Sequence, residues 1–202
     1  MHISLIQAVL IAIFYYLSWS PWLTYVGFFT WNRPLLAGFV TGIILGDPVQ
    51  GAIIGAGINM IYLGFISAGG AQMGDPAFAG YVGTALAIAS KLDVSTAMAI
   101  AVPLGTVATV LWIGKMTVNS FFAHWADREV QKGNVDRVAF INIVPPQILL
   151  FAMSFIPALL VVYFGPNAID GMLEVMNDNV LHVFNVIKIR MDKNTITGLV
   201  LI

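Results

Sequence analysis

Two polar side chains, Asn59 and Asp75, are the strongest candidates for contact with a substrate, because each lies among apolar residues. Asn59 stands in "GAGINMIYLG", and no other amide or charge occurs from Ala52 to Ala71. A polar group in such surroundings costs free energy unless it is paired or faces water. We therefore expect Asn59 to hydrogen-bond either a polar substrate or a neighbouring helix. A bond between membrane helices is worth about 0.6 kcal/mol on average.

Asp75 follows a glycine-rich stretch and directly precedes Pro76. A carboxylate at this position can bind a sugar hydroxyl or a cation. It can also accept backbone N–H groups at the start of a helix that Pro76 opens, and the two roles are compatible. Ser67 and Gln72 are weaker members of the same predicted substrate-binding neighbourhood.

No motif for covalent chemistry occurs in the chain. It has no phosphate-binding glycine loop, no nucleophile elbow and no HExxH pair, and its three histidines are scattered at positions 2, 124 and 182. With no cysteine, a disulfide framework and a thiolate-bound metal are both excluded. The sequence therefore predicts no catalytic residue, no metal site and no cofactor.

The composition places the chain in a lipid bilayer. Hydrophobic residues make up 59% of it and charged residues only 9%, with a mean hydropathy of +0.88. No charge occurs in residues 1–32, 48–74, 94–114 or 138–169, and each run is long enough for a spanning helix of about 20 residues. The net charge of −1 and the lack of a basic cluster argue against nucleic acid as a partner.

The predicted fold is an all-α integral membrane protein with five or six transmembrane or re-entrant helices. The first helix covers residues 3–19, and the second begins at Pro34, where the missing N–H of proline costs nothing. Small residues four apart predict close packing between this helix and the next; they are Gly38, Gly42, Gly46, Gly51 and Gly55.

Residues 65–80 are too rich in glycine to form a regular lipid-facing helix. Irregular backbone at membrane depth occurs where it is buried in protein or lines a cavity, so we expect this segment to line a site. A short helix or half-helix is predicted for residues 78–90, followed by a polar turn at residues 91–93.

The second half of the chain predicts two long apolar helices, over residues 94–119 and 139–164. The charged stretch between them, residues 120–137, carries a small excess of lysine and arginine together with Lys115, which favours the cytoplasmic side without fixing the orientation. A polar connection is expected over residues 165–179.

A family resemblance lies in "NRPLLAGFVTGIILGD", residues 32–47, and "GAIIGAGINMIYLGFISAGGAQMGDPAFAG", residues 51–80. These stretches resemble the IIC component of the mannose, fructose, sorbose and N-acetylgalactosamine class of the bacterial phosphoenolpyruvate-dependent phosphotransferase system. The similarity in order and spacing extends to about residue 187, and the first 80 residues are its most specific part.

The resemblance implies a multi-pass sugar permease of the bacterial inner membrane rather than an enzyme. Such a subunit works in a hetero-oligomer with a second membrane subunit, IID, and carries a hexose, hexosamine or N-acetylated sugar. Cytoplasmic IIA and IIB components complete the system, and a phosphohistidine on IIB phosphorylates the sugar. The lack of a nucleophile in this chain agrees with that division of labour.

The resemblance also implies a substrate-site role for Asp75, which matches an aspartate after the glycine-rich loop of the family. At position 59 relatives commonly carry Glu, whereas Asn keeps the hydrogen-bonding capacity without the charge. The resemblance divides the chain into a IIC-like domain, 1–187, and a divergent tail, 188–202, where relatives continue with a further apolar helical region. That tail is expected to be truncated.

Two other functions are open on the sequence. A non-transporting or incomplete membrane scaffold that binds IID would explain the charged tail. An ion-coupled secondary transporter is disfavoured, because such coupling usually relies on carboxylates within the membrane and this chain has few.

Overall fold

A computed structural model describes residues 2–23, 30–65 and 74–175 of the chain, with side chains as far as Ile169. Helices dominate these ranges, and no strand occurs in them. We number the helices α1 (Leu5–Trp19), α2 (Pro34–Leu45), α3 (Pro48–Tyr62), α4 (Pro76–Ala89), α5 (Val94–Gln131) and α6 (Val135–Val175). The predicted all-α fold is confirmed.

Helix α1 begins with a complete capping box. The Ser4 hydroxyl accepts from the backbone N–H of Gln7, and the Gln7 side chain accepts from the backbone N–H of Ser4. The buried face of the helix carries Ala8, Ile11 and Tyr15. The cap fixes where α1 begins, and the packing of its buried face turns Tyr15 toward the interior.

Helices α2 and α3 form a hairpin whose backbones touch through glycine. A Cβ at Gly38 would lie 2.6 Å from the Gly51 carbonyl oxygen and 2.7 Å from the Gly55 Cα. Gly46 ends α2 with a φ of +86°, a left-handed conformation that favours glycine. The close helix packing predicted from the glycine spacing is confirmed.

Helix α4 lies at the centre of the described structure, and every residue from 77 to 89 is buried. It contains a π-helical turn, Ala79–Gly83. Such turns are rare inside α-helices and occur frequently at functional sites. Glycine again allows close contact: a Cβ at Gly80 would lie 2.7 Å from the Pro34 Cα. The short helix predicted for residues 78–90 is confirmed, two residues longer at its start.

Helices α5 and α6 are long and apolar enough to cross a membrane, α6 over Val135–Ile169, whereas α1, α2 and α4 are shorter apolar helices. At the polar turn that joins α5 to α6, Glu129 is 3% exposed and pairs with two basic side chains. Lys132 Nζ lies 2.7 Å from one oxygen of Glu129, and Arg137 Nη1 lies 3.9 Å from the other. The charged stretch thus belongs to the helical hairpin: α5 continues to Gln131, beyond the predicted end at residue 119.

The prediction of a polar connection from residue 165 is wrong as far as Val175, because α6 continues to that residue. Gly165 is a packing position and does not end the helix. A Cβ there would lie 2.5 Å from Leu86 Cδ2, so the missing side chain makes room for α4. Residues up to Pro166 form one compact unit, and residues from Asn167 form a second. The predicted domain boundary at residue 187 lies outside the described residues.

Candidate functional site

Asp75 is a buried carboxylate at the start of α4. It is 3% exposed, and its Oδ1 accepts from the backbone N–H of Phe78 at 2.9 Å. The predicted helix cap is therefore present, with Pro76 in the first turn. The backbone N–H of Asp75 donates to the Gly105 carbonyl oxygen of α5 at 2.8 Å. Asp75 thus joins α4 to α5 through its backbone as well as capping α4.

The second oxygen of Asp75 is held by α1. The Tyr15 hydroxyl donates to Oδ2 at 2.6 Å, and Trp19 Nε1 donates to the same atom at 3.1 Å. Tyr15 and Trp19 are four residues apart, so α1 presents both on one face. Hydrogen bonds to an ionised oxygen are shorter and stronger than neutral ones. Three donors therefore satisfy the buried carboxylate and set its orientation.

A small cavity opens beside Asp75, between α1, the start of α4, α5 and α6. Its water-accessible volume is about 20 Å³, which is enough for about one water molecule. A hexose therefore enters only if side chains around it move. The lining side chains are aromatic, apolar and polar: Tyr15, Trp19, Asp75, Leu111, Trp112, Lys115, Met153 and Ser154.

The ammonium group of Lys115 lies at this cavity, where it contacts two aromatic rings. Its Nζ lies 3.8 Å from the ring centroid of Trp112 and 5.4 Å from that of Trp19. The ring faces are electron-rich and attract an ammonium group. The cavity thus combines a carboxylate, an ammonium group, a Ser154 hydroxyl and two indole rings.

The structure does not place Asn59 among the residues that line this cavity. Asn59 is half-buried on α3 and makes no side-chain hydrogen bond to another described residue. One turn later on α3, Tyr62 reaches the neighbourhood of Asp75: its ring Cε1 lies 3.1 Å from the position of a Cβ at Gly74. Ser67 and Gln72 lie outside the described residues.

Sequence reasoning missed Tyr15, Trp19, Trp112 and Lys115 as neighbours of Asp75. The available signal was spacing within one helix, because Tyr15 and Trp19 are four apart and Trp112 and Lys115 three apart. Among the described residues, no group of three or more His, Asp or Glu side chains is placed to hold a metal ion.

The described residues are helical and include two helices long and apolar enough to cross a membrane, as expected of an α-helical integral membrane protein. The family model described as "PTS system sorbose-specific iic component" matches residues 5–190. The chain therefore belongs to this family of IIC components of the phosphotransferase system, as the resemblance predicted.

Relatives within the family agree with this assignment. The chain is 33% identical over 182 residues to a sorbose-specific EIIC component of Lacticaseibacillus casei, and this alignment covers 87% of the chain and 63% of the relative. It is 34% identical over 160 residues to the mannose-specific EIIC component of Escherichia coli K12, covering 78% and 59%. The chain thus spans about three fifths of the length of these relatives.

Solved structures show the same fold. A chain in the cryo-electron microscopy structure of the mannose transporter ManYZ with microcin E492 superposes with a TM-score of 0.72 at 30% identity. The match covers 97% of this chain and 81% of that one. A second structure, described as that of a membrane protein, has a TM-score of 0.74 at 30% identity.

Proposed function

We propose that this chain is the sugar-translocating IIC subunit of a phosphoenolpyruvate-dependent phosphotransferase system in a bacterial inner membrane. The observation that carries the proposal is the buried Asp75 carboxylate beside a cavity lined by indole rings and Lys115, in a chain of the IIC family. Such groups suit a neutral, hydroxylated ligand, because carboxylate and ammonium bond hydroxyl groups while ring faces pack against C–H groups. The substrate class is a hexose, hexosamine or N-acetylated sugar.

The proposed mechanism is alternating access, in which one group of helices moves against another around the sugar. The substrate-contact set is Asp75, Asn59, Ser67 and Gln72, as the sequence predicts. Phosphorylation of the sugar by a IIB component would keep the inward step effectively irreversible. This requires hetero-oligomerisation with a IID subunit and delivery to cytoplasmic IIA and IIB components, and it assigns no chemistry to the chain itself.

The first prediction concerns the charge of Asp75. Asp75→Asn keeps a side chain that caps helices well but removes the negative charge. We expect phosphoenolpyruvate-dependent uptake of labelled sugar, divided by the membrane abundance of each protein, to fall at least tenfold. The assay uses cells that express the chain with IID, IIA and IIB subunits, and a panel of hexoses, hexosamines and N-acetylated sugars.

Asp47→Asn is the matched control. Asp47 caps α3 with its side chain, as Asp75 caps α4, and proline follows in the first turn of both helices. Asp47 is exposed and lies away from the cavity, so uptake should stay within twofold of the parent. Equal uptake by the parent and Asp75→Asn would remove Asp75 from the substrate site. Stable insertion of the parent without uptake of any sugar would instead support the scaffold hypothesis.

A further inference from the structure

Two indole rings form one wall of the cavity beside Asp75. The ring centroids of Trp19 and Trp112 are 4.9 Å apart, with their planes inclined at 39°. Trp19 is oriented by its N–H bond to Asp75. The second ring, Trp112, carries Lys115 on its face, since the ammonium nitrogen lies 3.8 Å from the ring centroid. Asp75, Trp19, Trp112 and Lys115 therefore form a continuous chain of contacts around the cavity.

Lys115 is held in an unusual way for a lysine on a membrane helix. It is half-buried on α5, and it makes no ion pair or side-chain hydrogen bond with any other described residue. An ammonium group has three donors and is costly in apolar surroundings unless these are used or reach water. Contact with two ring faces compensates the charge in part and leaves the N–H donors available.

The shape of a sugar matches this arrangement. A pyranose ring has C–H groups on its faces and hydroxyl groups around its edge, so an aromatic face and charged hydrogen-bonding groups suit its two kinds of surface. The cavity holds about one water molecule while Lys115 lies on Trp112. The lysine side chain is long and flexible, so its ammonium group can leave the face of Trp112. The flat face of a pyranose ring can then pack against the indole in its place.

We propose that Trp112 and Lys115 form the sugar subsite next to Asp75. The face of Trp112 packs against the C–H face of the sugar ring, and Lys115, displaced from the indole, donates a hydrogen bond to one sugar hydroxyl. Lys115 is thus a specificity-determining residue and Trp112 is the stacking platform. This inference rests on the proposed function and names the contacts that would recognise the sugar.

Equilibrium binding tests the subsite without requiring phosphorylation. Membrane vesicles from cells that express the full chain with a IID subunit are titrated with labelled mannose, fructose, sorbose and N-acetylgalactosamine. Trp112→Leu and Lys115→Met should each weaken binding of the preferred sugar about tenfold. Trp125→Leu, on the same helix outside the cavity, and Lys91→Met, in the turn before α5, should bind within twofold of the parent.

A deoxy-sugar series separates direct contact from a structural role. If Lys115 donates to one hydroxyl, the parent should bind one monodeoxy derivative about tenfold more weakly than it binds the preferred sugar. Lys115→Met should bind the same derivative less than twofold more weakly than it binds the preferred sugar. Equal losses in the two proteins for every derivative would make Lys115 structural and overturn its assignment. Trp112→Phe and Lys115→Gln replace any variant whose membrane abundance falls.

The outcomes distinguish this inference from the proposed function. A parent chain that binds no sugar would contradict both. A parent that binds sugar, with Trp112→Leu and Lys115→Met binding equally well, would contradict the subsite alone and leave the permease function standing. Weakened binding in both variants with unchanged controls would support the subsite.

Discussion

At the scale of single residues, Asp75 joins three helices, α1, α4 and α5. Its side chain caps α4 and accepts bonds from α1, while its backbone N–H binds Gly105 of α5. A buried charge is tolerated when its oxygens are hydrogen-bonded. The proposed substrate-binding role would therefore use the same carboxylate as the structural role. Any contact of Asp75 with a sugar must replace, or add to, the hydrogen bonds from Tyr15 and Trp19.

Tyr62 shows the opposite situation, a buried polar group without a partner. Tyr62 is 3% exposed, and its hydroxyl makes no hydrogen bond in the part of the chain that the structure describes. The group fits between Gly74 and Gly105, where neither residue has a Cβ to exclude it. An unsatisfied buried hydroxyl costs about 1–3 kcal/mol.

Tyr62→Phe should therefore stabilise the protein by about 1 kcal/mol, because the ring stays in place and only the unpaired hydroxyl is lost. The measurement is the thermal unfolding midpoint of the purified chain in detergent. Tyr81→Phe is the control, since Tyr81 is also buried but its hydroxyl donates to the Trp31 carbonyl oxygen at 3.3 Å; this variant should be no more stable than the parent. A lower midpoint for Tyr62→Phe would show that its hydroxyl has a partner, such as a buried water.

At the scale of elements, the α2–α3 hairpin depends on backbone contact. The missing side chains of Gly38, Gly42, Gly51 and Gly55 let the two helices touch at Cα and carbonyl atoms. Small residues serve this purpose in membranes, where packing and not the hydrophobic effect holds helices together. The hairpin lies against α4, which carries Asp75 at its start, so its spacing affects the site.

Gly38→Ala should destabilise the protein by about 2 kcal/mol or more. Alanine improves helix propensity by about 1 kcal/mol, but the new Cβ would lie 2.6 Å from a backbone oxygen, and only a shift of a whole helix relieves that contact. Thermal unfolding in detergent measures the loss. Gly64→Ala, where no atom of another described residue lies within 4 Å of the added Cβ, should leave the midpoint unchanged. Equal midpoints for the two variants would argue against close backbone packing in solution.

At the scale of the whole molecule, α5 and α6 are longer than a bilayer is thick. Helix α5 has 38 residues and is about 57 Å long at 1.5 Å per residue, whereas the hydrocarbon core is about 30 Å thick. The charged end of α5, where Glu129 pairs with Lys132 and Arg137 of the following turn and helix, must therefore extend into water. Exposed apolar residues along the rest of the hairpin, such as Ile148 at 64%, suit contact with lipid or with a membrane partner.

The absence of cysteine from the chain allows a clean test of this placement. Gln131→Cys and Ile148→Cys are both at exposed positions of the chain. We expect a membrane-impermeant maleimide to label position 131 and to leave position 148 unlabelled, because only the first reaches water. Labelling in inside-out vesicles but not in intact cells would support the predicted cytoplasmic side. Equal labelling at 131 and 148 would contradict the placement.

Much of the fold follows from the sequence alone. Charge-free runs predict membrane helices because a bilayer offers no water to buried charges, and Pro34 marks the start of α2 because its missing N–H is harmless there. The glycine spacing correctly predicts the α2–α3 contact. The polar connection predicted from residue 165 was wrong for a different reason. The sequence does not distinguish a glycine that ends a helix from one, such as Gly165, whose missing side chain makes room for Leu86 of another helix.

The surroundings of Asp75 were decided by tertiary structure. The sequence determined that a carboxylate capping α4 would lie in an apolar chain of the IIC type, since composition, local spacing and motif order are properties of the sequence. Asp75 is 37 to 60 residues away along the chain from Tyr15, Trp19, Trp112 and Lys115, and no local pattern specifies which faces of α1 and α5 meet it. Helix rotation and packing fix those contacts. The carboxylate is satisfied only when α1 turns Tyr15 and Trp19 toward it, and Trp112 and Lys115 meet Trp19 only when α5 packs its matching face against α1.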